Sequence, residues 1–157
     1  MKKTSEILAP LDPNDSKMLF KNECGIDIVD RLKNQNINLN PVFQRHTTHW
    51  DDKKMSRFIE SILIRFPVPR FFFTGFDYNK LVVVDGLQRL SSIKKFVIDK
   101  RLRLNGLEYL VDLNGKNYEQ LDRMYKRRIE GFEFNLFFIR PETPEAVKKS
   151  IIKRIRC

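Results

Sequence analysis

The stretch "VVVDGLQRLSSIKKF", Val82 to Phe96, decides how the chain is read. Three β-branched residues run into Asp85 and Gly86. Gln88 and Arg89 then open a stretch with helical spacing, with Leu90, Ile93 and Val97 on its inner side. A strand that turns sharply into a helix aims backbone N–H groups at one point, beside the positive end of the helix dipole. Such a point favours anions, phosphate above all. Gly86 permits the turn and the close approach of a ligand to the backbone. Arg89 offers a fork that matches phosphate. Asp85 ends the strand, where a carboxylate can hold Mg²⁺ or orient a water. Gln88 can hydrogen-bond a phosphate oxygen or position that water. The residue types leave a plainer reading open, because Asp-Gly is a common turn pair and an arginine at a helix start can simply face solvent.

Working outward, "RFFFTGF" and "KLVVVD" predict two buried strands joined by a turn around Gly75 to Asn79. Before them, Asp51 to Phe66 predicts a helix that buries Met55, Phe58, Ile59, Ile62, Leu63 and Phe66. Lys54, Arg57, Ser61 and Arg65 fall on its other side. Asp51 and Asp52 suit the dipole at its start, and "FPVP" ends it. A helix from about Ile26 to Asn34 turns Ile28, Val29 and Leu32 inward, and "INLN" before Pro41 suits a short strand. Met1 to about Leu19, with Pro10, Pro13 and Asp15, reads as a loose arm.

Downstream, "LRLNGLEYLVDLNG" is compatible with short strand or turn. Asn117 opens a helix with Gln120 in capping-box position and Leu121, Met124, Tyr125 and Ile129 on its apolar side, stopped by Gly131. "FEFNLFFI" alternates like a strand. "TPEAVKKSIIKRI" is a helix with Thr143 as N-cap and Pro144 at its first position. The sum is an α+β (mixed α/β) domain, with residues 1–20 as an arm and 21–157 as one folded unit.

The chain has 157 residues, 41% of them hydrophobic and 32% charged, which suits one domain with a real core. No apolar run approaches the length of a membrane span, and the N-terminus lacks the apolar stretch of a signal peptide. We expect a cytoplasmic protein with no membrane partner. The formal charge of +10 favours polyanionic partners, nucleotide and DNA among them. Cys24 and Cys157 have neither a disulfide nor a metal-ligand spacing. His46 and His49 are the only histidines and read as polar loop residues.

"NPVFQRHTTHW" adds Gln44 and Arg45 after a strand, with Trp50 beside the next helix. Two Gln-Arg pairs, at "FQR" and "LQR", could converge on one triphosphate. "PVFQR" with its following Trp, then "RFIESILIRFPVPRFFF", then "LVVVDGLQRLSSIKKF" resemble the N-terminal domain of GmrSD-type restriction enzymes. That family is placed in the ParB/sulfiredoxin-like superfamily and carries an Asp-Gly-Gln-Gln-Arg signature. The resemblance runs from about Ile37 to Ile155. It implies a small sheet flanked by helices, a bound nucleoside triphosphate, and hydrolysis linked to defence against modified phage DNA. By this match Asp85, Gly86, Gln88 and Arg89 take the signature positions, and Gln44 and Arg45 the earlier polar pair. Leu87 replaces the first glutamine of the signature. "HTTH" departs from the usual tract before Trp50. Ile152, Arg154 and Ile155 fit a later Phe-x-Arg-(Ile/Leu)-Asn element, with Arg156 where Asn would be, and the helical continuation of the family is expected to be missing.

Three functions are weighed. The first is a nucleoside-triphosphate-binding, Mg²⁺-dependent hydrolase. Its catalytic residues are Asp85 and Gln88, Asp85 also holds the metal, and Gln44, Arg45, Gly86, Arg89 and Ser91 contact the nucleotide. The second is a non-catalytic DNA-binding module that uses the basic surfaces of "DRMYKRRIEG" and "KKSIIKRIRC", with Arg123, Lys126, Arg127, Arg128, Lys148 and Lys149 on phosphates. The third, a metal-dependent DNA nuclease, ranks last because no strong metal cluster is visible. Ile151, Ile152 and Ile155 of the last helix are candidates for pairing with a second copy of the chain.

Overall fold

The computed structural model describes residues 18–39, 49–75 and 79–155. Five strands form one mixed sheet: β1 (Met18–Cys24), β2 (Ile37–Asn38), β3 (Phe71–Gly75), β4 (Leu81–Asp85) and β5 (Glu133–Ile139), in the order β1-β5-β3-β4-β2. β1 runs antiparallel to β5 from Met18↔Ile139 to Cys24↔Glu133. β5 is parallel to β3, β3 antiparallel to β4, and β4 parallel to β2. The α-helices are α1 (Gly25–Lys33), α2 (Asp52–Leu63), α3 (Leu87–Ile93, continued by a π-helical turn Lys94–Ile98), α4 (Arg123–Gly131) and α5 (Glu145–Ile155). The α+β expectation therefore holds.

One face of the sheet carries the core. Phe71, Phe73, Leu81, Val83, Phe134, Leu136 and Phe138 are buried in one cluster with Ile28 and Leu32 of α1, Phe58, Ile59, Ile62 and Leu63 of α2, and Leu90 and Ile93 of α3. α2 packs on α3 and α4, and α1 packs on α4. On the other face Phe20, Phe137 and Phe72 line up in register across β1, β5 and β3. Phe137 stacks on Phe72 at 5.3 Å, Phe20 tilts onto it at 5.1 Å, and the Arg70 guanidinium lies 5.2 Å from its ring centre.

Three expectations change. Met18 to Phe20 were read as the end of the arm, yet they begin β1, which is tied to β5 along its whole length. Its central residues Phe20, Lys21 and Asn22 are exposed, so no clean burial pattern marks it. Phe66 was placed inward; the helix stops at Leu63, Arg65 turns to φ +61°, and Phe66 is 45% exposed against Tyr109. The helix expected from Asn117 breaks. Its capping box forms, Asn117 with Gln120, but Leu121 goes extended to bury its side chain, and α4 restarts after Asp122. The restart rotates the pattern and leaves Met124 51% exposed.

Two buried carboxylates organise the periphery. Glu60, on the helix between core residues, accepts from the N–H groups of Glu108 (3.1 Å), Tyr109 (2.9 Å) and Leu110 (2.8 Å). Ser56 beside it accepts from the Asn105 N–H at 3.2 Å. These two polar residues of α2 hold the irregular segment 102–115 in place. Glu23 at the end of β1 takes a two-pronged bond from Arg31 of α1, 2.9 Å from Nε and 2.6 Å from Nη2, with Lys21 at 3.2 Å. Burial alone would raise the Glu23 carboxyl, but the bonds and charges of Arg31 and Lys21 outweigh it and hold the group below its ordinary value of 4.5.

Truncating Glu60 leaves three donors without their acceptor, so Glu60→Ala should cost about 3 kcal/mol in urea unfolding and speed amide exchange at 108–110. Because the folded Glu23 is the stronger acid, its stabilisation is complete above the unfolded value and lost as pH falls through the depressed folded one. Glu23→Gln should therefore lower stability at pH 7 and flatten its acid limb; an unchanged acid limb in a pH series of melts contradicts this.

Candidate functional site

The turn after β4 is shaped by an irregularity in its pairing with β3. Thr74 faces Val82 and Phe73 faces Val83, but Phe72 faces Asp85, so the register shifts by one residue at Val84 of β4. Without it Asp85 would stand opposite Phe71, over the core. The bulge aligns it instead with the row of Phe72, Phe137 and Phe20. The Asp85 side chain is 40% exposed at the carboxyl end of the strand.

Gly86 follows with φ +110°. A Cβ there would lie 2.4 Å from the Phe71 ring, so the position needs glycine for conformation and for space. α3 begins at Leu87, and Leu90 N–H donates to the Gly86 carbonyl at 3.0 Å. The N–H groups of Leu87, Gln88 and Arg89 belong to the first turn, and Gly86 offers no side chain to cap them.

Arg89 is buried. Its Nη1 donates to the carbonyls of Pro69 (2.5 Å) and Arg70 (3.0 Å), Nη2 reaches Asp85 at 3.4 Å, and the guanidinium lies 5.0 Å from the Phe71 ring centre. Burial pulls the guanidinium below its ordinary value, opposed by the charge and hydrogen bond of Asp85. Three of its five N–H groups are thereby spent on the protein. The side chain expected as a free fork is thus a fastener that also orients Asp85.

Gln88 is buried too, and its Oε1 accepts from the Trp50 N–H at 3.1 Å. Trp50 packs edge-on against Phe58 at 6.1 Å and lies under Lys54. Ser91 is half-buried on α3. Gln44, Arg45 and His46 lie outside the described residues. The segment that carries them, 40–48, leaves from the carboxyl end of β2, parallel and adjacent to β4, and rejoins at the Trp50 that Gln88 holds. Among the described residues no group of three or more His, Cys, Asp or Glu could hold a metal ion, and no helix is long and apolar enough to cross a membrane.

The six basic residues expected on DNA lie on two helices, α4 and α5. Arg123, Arg127 and Arg128 line a cleft of about 480 Å³ together with Arg65 and Met124. Lys126 points elsewhere, donating to the Glu119 carbonyl at 3.2 Å and lying over Tyr118. On α5, Lys148 pairs with Glu145 at 3.4 Å, whereas Lys149 is exposed. Ile151, Ile152 and Ile155 are half-buried.

The model of the GmrSD restriction endonuclease N-terminal domain matches residues 27–155. The chain belongs to that family. The match to the GmrSD N-terminal domain contains the whole Asp85–Arg89 turn and both of its flanking elements. It ties the chain to restriction and phage defence. No curated protein and no solved structure matches the chain.

The sequence missed Glu60, Ser56, the Val84 bulge and Arg65. Glu60 and Ser56 carried a usable signal, since both lie on the inward arc of the α2 pattern. Gly86→Ala should destabilise the domain by more than about 2 kcal/mol, from the positive φ and the Phe71 contact together. Gly131→Ala, with open space at its Cβ, should be nearly neutral; equal melts for the two variants would refute the packing account.

Proposed function

We propose that this GmrSD N-terminal domain binds a nucleoside triphosphate with Mg²⁺ at the carboxyl end of β4 and promotes its hydrolysis in the service of a restriction system. The observation that carries the reading is the placement of Asp85: a carboxylate moved off the core register by the Val84 bulge, 40% exposed, and fixed by a buried arginine. One exposed carboxylate fits Mg²⁺, which is commonly held by one or two carboxylates together with substrate phosphates. Asp85 would hold the ion, which when bound neutralises charge on the phosphates.

The chain's own residues supply the remainder. The first-turn N–H groups after Gly86 face the phosphates, aided by the helix dipole. Arg89 positions Asp85. Gln88 holds the backbone of Trp50 beside the turn, and Gln44 and Arg45 are the further nucleotide contacts of this reading. Ser91 supplies a hydroxyl one turn further along α3.

Calorimetric titration of GTP, CTP, UTP and ATP with Mg²⁺ tests the reading. Asp85→Ala should weaken Mg²⁺-dependent binding about tenfold or more and abolish phosphate release, and Arg45→Ala should weaken binding in a similar range. No titratable nucleotide, or equal affinity in both variants, removes the site. A second reading, a DNA-binding module, is favoured by the arginine cleft.

A further inference from the structure

The cleft beyond the end of α2 gathers four arginines, of which the fold uses Arg128 to cap that helix. Arg65, Arg123, Arg127 and Arg128 converge on it, with Met124 among them. Several cations elsewhere meet carboxylates: Lys21 and Arg31 with Glu23, Arg57 with Glu108, Lys95 with Asp52, Lys100 with Glu119. Among the described residues none of the four cleft arginines has a carboxylate within ion-pair distance. Glu133 lines an adjoining cleft of about 330 Å³ with Arg65, Arg127 and Arg128 and pairs with none of them. Such a concentration of unpartnered charge raises the energy of the folded chain, and an anion relieves it.

Two local features point the same way. α4 starts with Arg123, at the end of the helix where the dipole is positive, and Asp122 before it makes no side-chain cap. Arg65 holds φ +61°, a conformation that favours glycine or asparagine over a long side chain. Arg128 fixes one wall: its Nη1 donates to the Leu63 carbonyl at 2.9 Å and its guanidinium lies 5.7 Å from the Tyr125 ring centre. The end of α2 is thereby capped by a residue of the same cleft.

We propose that this cleft is a docking site for the phosphate backbone of duplex DNA, with Arg65 as its unforeseen fourth arginine. The site is open and presents guanidinium groups, whose forks match the phosphate oxygens that every duplex repeats whatever its sequence. It is separate from the Asp85 turn. Trp50, held by Gln88, precedes α2, and Arg65 follows it, so the 12-residue helix sets about 18 Å between the two places. The inference extends the DNA-binding reading and is independent of nucleotide binding.

Fluorescence anisotropy of a labelled random-sequence duplex, titrated with the full chain over a salt series, tests it. Arg65→Gly relieves the left-handed backbone while removing the charge, so its melt should not fall; Arg127→Ala removes an exposed side chain. Each should weaken binding and reduce the slope of log K against log salt by about 1, and the pair by about 2. Lys33→Ala, an exposed lysine on α1, should change the slope little. Mg²⁺-nucleotide titration of Arg65→Gly should match the parent chain. Unchanged slopes in the two arginine variants, or an equal loss in Lys33→Ala, overturn the proposal. Equal affinity for single-stranded RNA or heparin with the same slopes overturns duplex DNA as the occupant.

Discussion

The Arg89 guanidinium, lying over the Phe71 ring, ties the start of α3 to the entrance of β3 and to the end of β4. A buried cation is tolerable only when its donors are satisfied and a counter-charge is near. Pro69 and Arg70 supply carbonyls, and Asp85 supplies the charge. Phe71 can lie flat beneath the guanidinium because Gly86 has no side chain, and Gly86 can hold φ +110° for the same reason. The strand, the turn and the helix are thus fixed by mutual need. Asp85 has two duties within this arrangement: balancing Arg89 and facing outward. At 3.4 Å its bond to Arg89 is the longest of the three, so a cation drawn to Asp85 competes with the weakest link while the two carbonyl bonds keep Arg89 in place.

Much of this was legible in the sequence, and for physical reasons. "VVVDGLQRL" joins a period-two run to a period-3.6 run through a glycine, and each signal survives tertiary packing. α1 and α2 were legible because Ile28, Val29 and Leu32, or Met55, Phe58, Ile59, Ile62 and Leu63, repeat at helical spacing and are in fact buried. β1 was not, because an edge strand with Phe20, Lys21 and Asn22 exposed has no alternation to detect, and its partner lies more than a hundred residues away. The break at Leu121 was hidden by a valid capping box that starts only a single turn. Arg89 was read as a nucleotide-binding residue, but residue type alone does not say whether a guanidinium faces ligand or backbone. That depends on where Pro69 and Arg70 lie, which is long-range information. The Val84 bulge leaves no mark in composition at all.

The two ends of α2 show why charge must be read with its partners. Its start obeys the dipole rule: Asp51 caps the Lys54 N–H at 2.8 Å and Asp52 meets Lys95 at 2.7 Å. Beyond its other end, α4 has Asp122 at its N-cap without a side-chain bond and Arg123 as its first residue. Positive φ alone would not single out Arg65, since Gln35 and Lys100 share it. Lys100, however, pairs with Glu119 at 3.0 Å, and Gln35 is uncharged and sits in the turn after α1. Arg65 combines an unfavoured backbone, no carboxylate partner among the described residues and three arginine neighbours in one cleft. Each feature has a bland explanation by itself. Their coincidence at one point does not, because a chain selected for stability alone would relieve at least one of them by a single substitution.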